Sequence, residues 1–270
     1  MRLVAVYAKM DLATLMRDTG FMMTCIISDL CANTASISGI FLLAWKFGGI
    51  GGLSQYEILF MLAYGNIAAS VMDVMGGCNA LFPSRIIARG QWEHMFIMPL
   101  PYPVQMTVGA FPFTSSAKLI SGVILMCVAV HALGAALPWW WLIAMIVNLP
   151  VSMIITIGIS YLVSSLAFYA PLQCEEISST VLYSTSYAST FPLSGMPPYI
   201  KAPLLTIFPA GLMAWLPTLL ILGKAPAFAN FYPPMFVASI SAAAAYFFRR
   251  GFNYYTKRGI NRYVSGGHRC

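Results

Sequence analysis

The sequence predicts an all-α integral membrane protein with six transmembrane helices, and three observations carry that prediction. Only 9% of the 270 residues are charged and 59% are hydrophobic, with a mean hydropathy of +0.77; a soluble chain carries roughly a quarter charged residues. Apolar runs of about 20 residues, the length that crosses a hydrocarbon core, recur along the chain. The net charge of +7 is unevenly placed: residues 249–270 hold Arg249, Arg250, Lys257, Arg258, Arg262 and Arg269 and no acidic residue. A basic tail beside a span is normally cytoplasmic, where it meets anionic membrane lipid. The excess charge is thereby assigned to a membrane surface, with no nucleic-acid partner.

The elements follow in order within a single transmembrane domain, residues 1–270. In residues 1–19, Lys9, Asp11, Arg17 and Asp18 interrupt any signal-peptide core. Leu3, Val6, Tyr7, Met10 and Thr14 recur at helical spacing, which predicts an amphipathic interfacial helix. Spans are expected over 20–45, 56–82, 104–133, 139–168, 177–194 and 231–248. The Gly-rich stretch Phe47–Leu53 turns the first span into the second, so residues 83–103 share a compartment with the N-terminus. There Arg85, Arg89, Glu93 and His94 lie close together, and Pro99, Pro101 and Pro103 close the segment with residues that cannot extend a helix. Trp92, Met95 and Phe96 fall at i, i+3 and i+4, the pattern of a short helix lying at the membrane surface. The run Pro138–Trp141 marks an interface favoured by indole rings. The fourth span is expected to bend at Pro150, and Tyr169–Glu176 reads as a short polar turn.

The fifth span is rich in hydroxyls: Ser178, Ser179, Thr180, Ser184, Thr185, Ser186, Ser189 and Thr190, with Tyr183 and Tyr187 interleaved. Such groups bond back to their own helix or let helices pack closely; alternatively Tyr183, Thr185, Tyr187 and Thr190 line a substrate path. Residues 203–222 are apolar enough to span but are interrupted by Pro209, Gly211 and Pro217. If they crossed the membrane, the basic tail would lie opposite Arg2, Lys9, Arg17, Arg85 and Arg89. If they enter and leave on one side, those five and the six tail residues share a face, against Lys46, Lys201 and Lys224. The positive-inside rule selects the second arrangement, a re-entrant helical hairpin with both chain ends cytoplasmic. Residues 249–270 are then a basic cytoplasmic tail.

Little catalytic chemistry is on offer. Gly223-Lys224 is followed by Ala225 and Pro226 and has no preceding Gly-rich loop, so it is no phosphate-binding loop; this chain is not expected to be an enzyme by itself. No catalytic residue, metal site or bound cofactor is expected. His94, His131 and His268 are far apart in sequence, and the six cysteines form no framework. Asp29, Asp73 and Lys118 are intramembrane charges, each costing about 2.5–3.5 kcal/mol at mid-membrane and so expected to face protein or water. An ion pair between Lys118 and a carboxylate would lower that cost; a substrate contact is the alternative.

Four features occur in a distinctive order. An amphipathic N-terminal helix comes first. A cytoplasmic helix of the form R-G-x8-P follows the second span, at Arg89–Pro99. A hairpin follows the fifth span, with Phe191-Pro192-Leu193-Ser194, Pro209 and Trp215-Leu216-Pro217. The chain closes on Arg262-Tyr263-Val264-Ser265-Gly266-Gly267-His268-Arg269. Over essentially its whole length the chain resembles the permease subunits of bacterial ABC-2-type ABC exporters, in a small six-span branch with a Y-x-S-x-G-x-R ending. Gly267-His268 departs from the shorter Gly-x-Arg spacing of that ending.

The resemblance implies that the helix after the second span is a coupling helix docking on a separate ATP-binding subunit, which makes Arg89, Trp92, Glu93 and His94 the coupling candidates. Arg89 and Glu93 stand at i, i+4, a spacing that permits a pair. It further implies two ATP-binding subunits holding ATP and Mg, a second permease chain, identical or related, and a bacterial cytoplasmic (inner) membrane location. Two other readings stay open: a stand-alone channel or secondary transporter using Asp29 and Asp73, and a membrane-embedded enzyme or scaffold.

Overall fold

The computed structural model describes residues 6, 9–10, 12–13, 16–98, 105–106, 115–134 and 137–258, apart from the side chains of 75–78, 172 and 227. The expectations for the N-terminal helix, for most of 99–114 and for the 262–269 ending lie wholly or largely outside these residues. Every named element is helical. α1 (Thr19–Lys46) and α2 (Gln55–Leu81) form a hairpin, and the short α3 (Pro83–Ala88) and α4 (Trp92–Ile97) follow it. Next come α5 (Ser116–Leu133) and α6 (Trp141–Ser164), the latter continuing as a 3-10 turn over Ser165–Phe168. α7 (Pro171–Ser189) leads to a broken trio, α8 (Pro198–Thr206), α9 (Ala210–Met213) and α10 (Trp215–Ile221). α11 (Tyr232–Arg258) closes the described chain.

The starts of the first two helices are written in local chemistry. Asp18 caps α1, its carboxylate accepting from the Phe21 N–H at 3.0 Å. Ser54 and Glu57 form a reciprocal capping box on α2: Ser54 N–H donates to Glu57 Oε2 at 2.9 Å and Glu57 N–H to Ser54 Oγ at 3.4 Å. Two donors that the first helical turn would leave orphaned are thus satisfied.

α2 is the axis of the bundle. Buried residues make up 67% of its apolar window, against 6% for α1. Small residues let neighbours approach it closely. Around Gly122 of α5 a Cβ would lie 3.0 Å from Ile67, and around Gly65 of α2 it would lie 3.2 Å from Ala214. α1, α2 and α5 pack as one group and α6 with α11 as another; α7 lies against α6, α3 and α9.

Five helices are long and apolar enough to cross a membrane, or six if the pair Pro198–Thr206 and Ala210–Ile221, bent by 65°, counts as one. α7 is too rich in hydroxyls to qualify, yet it runs the length of the bundle. Its first turns hold Glu175 beside Arg85 and Arg89, and just past its last turn Gly195 touches Gly51.

Several boundaries differ from expectation. The supposed polar turn Tyr169–Glu176 is largely helix: Pro171 takes the first helical position, where its missing N–H is no loss, so α7 starts six residues before Ile177 and ends at Ser189. The third span is a described helix only from Ser116. Pro150 is accommodated inside α6. The last helix runs ten residues past Phe248, because Gly251, Phe252 and Tyr255 pack into an aromatic core and do not trail into water. The broken segment begins at Pro198, earlier than 203.

The 47–54 turn makes the tightest backbone contact described. Gly51 has φ +60°, and a Cβ there would overlap the Gly195 backbone nitrogen; Gly52 has φ +81° and open space around it. Gly52→Ala therefore meets only the strained left-handed backbone, whereas Gly51→Ala also forces the two loops apart. Thermal unfolding in detergent should show Gly51→Ala to be the less stable by about 1–3 kcal/mol, the usual cost of forcing extra atoms into a packed contact; equal losses would show that the loops do not need this contact.

Candidate functional site

The candidate site is built at the end of the bundle where α2 finishes. Phe82 leads into α3, and Arg85 and Arg89 project from α3 and its C-cap toward α7. Arg85 Nε and Arg89 Nη2 both donate to Glu175 Oε1, at 3.2 and 3.1 Å. Gly90, at φ +72°, then turns the chain into α4. Arg89 therefore reaches Glu175, 86 residues further along the chain, although Glu93 stood at the i, i+4 spacing. Glu93 Oε1 accepts from the Tyr255 hydroxyl of α11 at 3.0 Å.

Trp92 is buried, 2% exposed. Its ring lies edge-on to Phe168 and Phe248 at 5.8 Å and to Phe252 at 6.4 Å. Phe168 and Phe248 also meet edge-on at 5.0 Å. Such pairs contribute about 0.5–1.5 kcal/mol each beyond the area they bury. Trp92 is thus the root of the helix, holding it to the ends of α6 and α11. Away from Trp92, Glu93 and His94 are exposed, as are Phe96, Met98 and above all Ile97, at 81%. Phe96 stacks on Tyr255 at 6.4 Å. Gln105 Nε2 donates to the Met95 carbonyl at 3.1 Å, tying down the far end of α4.

α7 presents a second surface. Cys174, Ser178, Leu182, Thr185 and Ser189 are its buried face. Thr185, 2% exposed, bonds back to the Val181 carbonyl at 2.7 Å, and Thr190 to the Tyr187 carbonyl at 2.6 Å. Tyr183 and Tyr187 are exposed at 54% and 66%, in line with exposed Glu176, Thr180 and Ser184. The four hydroxyl residues expected along one path therefore separate: two tyrosines face outward, Thr185 faces the core and Thr190 is half-buried.

The intramembrane charges meet in a third place. Lys118 Nζ lies 4.0 Å from Asp73 Oδ2, and Asp29 is a neighbouring negative charge that acts on Asp73. Beside them Asn66 Nδ2 donates to the Lys118 carbonyl at 3.1 Å and to Ser121 Oγ at 3.2 Å, and Asn33 Nδ2 donates to the same Ser121 oxygen at 3.0 Å. One polar patch thus joins α1, α2 and α5.

A bundle with five helices long and apolar enough to cross a membrane, six if the bent pair counts as one, is that of a multi-pass membrane protein. The family model of ABC-2 family transporter proteins matches residues 30–259, and the chain belongs to that family. It is the permease component of an ABC transporter, a membrane transport part that is not itself catalytic and that normally works with ATP-binding subunits. No curated protein and no solved structure matches the chain.

The sequence reading missed Glu175, Phe168 and Tyr255. Pro171 was the signal for Glu175, since a helix starting there carries Glu175 on its first turns. Phe248, Phe252 and Tyr255 stand at i, i+4 and i+7, an apolar stripe hidden by the basic residues around it.

Lys118→Ala leaves Asp73 without its cation. A loss of about 1–2 kcal/mol is expected, between the values of exposed and buried pairs, with Asp73→Asn in the same chain restoring part of it. Detergent melting curves read this directly; no restoration would show that the two groups act separately.

Proposed function

We propose that this permease is the membrane-spanning subunit of an ATP-driven exporter, working with two ATP-binding subunits and a second permease chain, identical or related. The observation that carries this reading is the division of labour in α4. Trp92 is fixed inside the chain, while His94, Ile97 and Met98 are offered outward and Glu93, exposed beside them, is held by the Tyr255 hydroxyl. A partner that grips the outward face pulls on Trp92 and, through it, on the ends of α6 and α11. The Glu175 clamp passes the same displacement to α7, which lines the proposed path. Arg89 and Trp92 then act as transmission, and Glu93 and His94 as docking groups. ATP and Mg belong to the partner subunits.

The second permease is supported by surfaces that lipid would cover badly. The Tyr183–Tyr187 face of α7 carries hydroxyls, and polar groups within a membrane face protein or water. Substrate would pass between two such faces, with α1 and α2 contributing. Export from a bacterial cytoplasmic membrane with both chain ends inside follows the family and the distribution of basic residues. The re-entrant course of residues 198–221 is supported at both of its ends. Before it, Gly195 meets Gly51; after it, Lys224 Nζ lies 2.7 Å from Glu57 Oε2. Both contacts fall at or beside the 47–54 turn.

Ile97→Asp is the test least confounded by folding, because Ile97 has 81% of its surface exposed. With the chain co-purified with its ATP-binding subunits, Ile97→Asp and Glu93→Lys should each lower substrate-stimulated ATP hydrolysis by about tenfold, corresponding to about 1.4 kcal/mol at the interface. Melting of Ile97→Asp should be unchanged. Full stimulation in both variants, or no ATP-binding protein travelling with the chain, would contradict the proposal.

A further inference from the structure

The end of the bundle opposite α4 contains a cavity of about 650 Å³ between the 47–54 turn, the broken helices and the start of α11. That lies within the range of small-molecule sites, about 300–1,000 Å³. Its wall is apolar over Leu205, Leu216 and Leu219, and Phe228 and Phe231 stand at 76% and 72% exposure beside it. Two ammonium groups, Lys201 and Lys224, line it. This placement is informative because the proposed topology leaves only Lys46, Lys201 and Lys224 on this face, and two of the three share one pocket.

The charges do not cancel. Glu57, whose carboxylate takes part in the α2 capping box, is the partner of Lys224. Lys201 Nζ instead sits 4.6 Å from the centroid of the Trp215 ring, with no carboxylate in ion-pair range among the described residues. Trp215 is held in place because its Nε1 donates to Ser194 Oγ at 2.8 Å. The hydroxyl proton of Ser194 has no acceptor among the described residues and can be donated into the cavity. A fixed indole platform, an uncompensated cation and a free hydroxyl donor converge beside an apolar wall.

We infer that this cavity binds an anionic amphiphile, its phosphate or carboxylate head on Lys201 and Ser194 and its hydrocarbon chain along Leu205, Leu216 and the Phe228–Phe231 rim. A free fatty acid and an anionic phospholipid share this chemistry. Cations are disfavoured by the lysines, and the concave shape suits a small molecule better than a protein surface. The assignment of Lys46, Lys201 and Lys224 to one face rests on the proposed topology, whereas binding is read without the ATP-binding subunits, so failure of coupling and failure of binding are distinguishable.

The test uses the full chain in phosphatidylcholine nanodiscs with brominated probes that quench tryptophan. The probes are 9,10-dibromostearate, brominated phosphatidylglycerol and, as the uncharged-head control, brominated phosphatidylcholine. The part of the quenching lost in Trp215→Phe reports on this cavity. One or both anionic probes should quench that part with saturation, and whichever does so identifies the source of the head group. Lys201→Gln should raise half-saturation about tenfold, as loss of a charged hydrogen-bond donor does, while Lys201→Arg stays close to the parent. Lys46→Gln, on the same face but outside the cavity, should leave it unchanged. The proposal is overturned if the phosphatidylcholine probe quenches Trp215 as well as the anionic ones, if Lys201→Gln has no effect, or if Lys46→Gln matches it.

Discussion

The burial of one indole, Trp92, is the interaction on which the α4 end of this permease depends. A six-residue helix has no independent stability in water, and α4 is only Trp92–Ile97. What holds it is the socket formed by Phe168 at the end of α6 and by Phe248 and Phe252 on α11. Gly251 makes that socket possible: a Cβ there would lie 2.6 Å from the Phe168 ring. The last helix must therefore continue beyond the apolar span, and its extension is as much a part of the packing as the spans are.

A second constraint is the bilayer itself, which leaves no water to satisfy stray polar groups. The chain answers it locally wherever it can. Ser160 Oγ donates to the Leu81 carbonyl where α2 ends, Tyr64 and Ser152 pair their hydroxyls at 2.9 Å, and Asn66 divides its amide between Lys118 and Ser121. These bonds tie α2 to α6 and α5, so the groups that would be costliest to leave unpaired also fix how the helices are packed. On α7, Thr180, Tyr183, Ser184 and Tyr187 carry hydroxyls on an exposed face, the surface that the proposed second chain or substrate would complete.

Much of this was legible in the sequence because hydropathy and charge asymmetry act over long windows. The apolar runs place α1, α2 and α6 to within a few residues of their ends, and the start of α11 as closely. The turn between α1 and α2 is visible in the glycines of Phe47–Leu53. What pattern could not supply was partnership across the fold. Arg89 had a tempting neighbour at Glu93, but Glu175, remote in sequence, takes it because Pro171 starts α7 early. Trp92 read as an anchor in the membrane surface, whereas its anchor is protein. Thr185 and Tyr183 looked equivalent as hydroxyl carriers, and only the rotation of α7 separates the buried one from the exposed one.

In the proposed coupling route, force enters this permease through the exposed face of α4 and is passed inward by Trp92. A photo-crosslinking residue at position 97, compared with one at position 228 at the other end of the bundle, tests it most directly in the assembled transporter. Position 97 should crosslink to an ATP-binding subunit, more strongly when ATP is bound, and position 228 should not. A crosslink from position 228 with none from position 97 would contradict both the orientation and the coupling route.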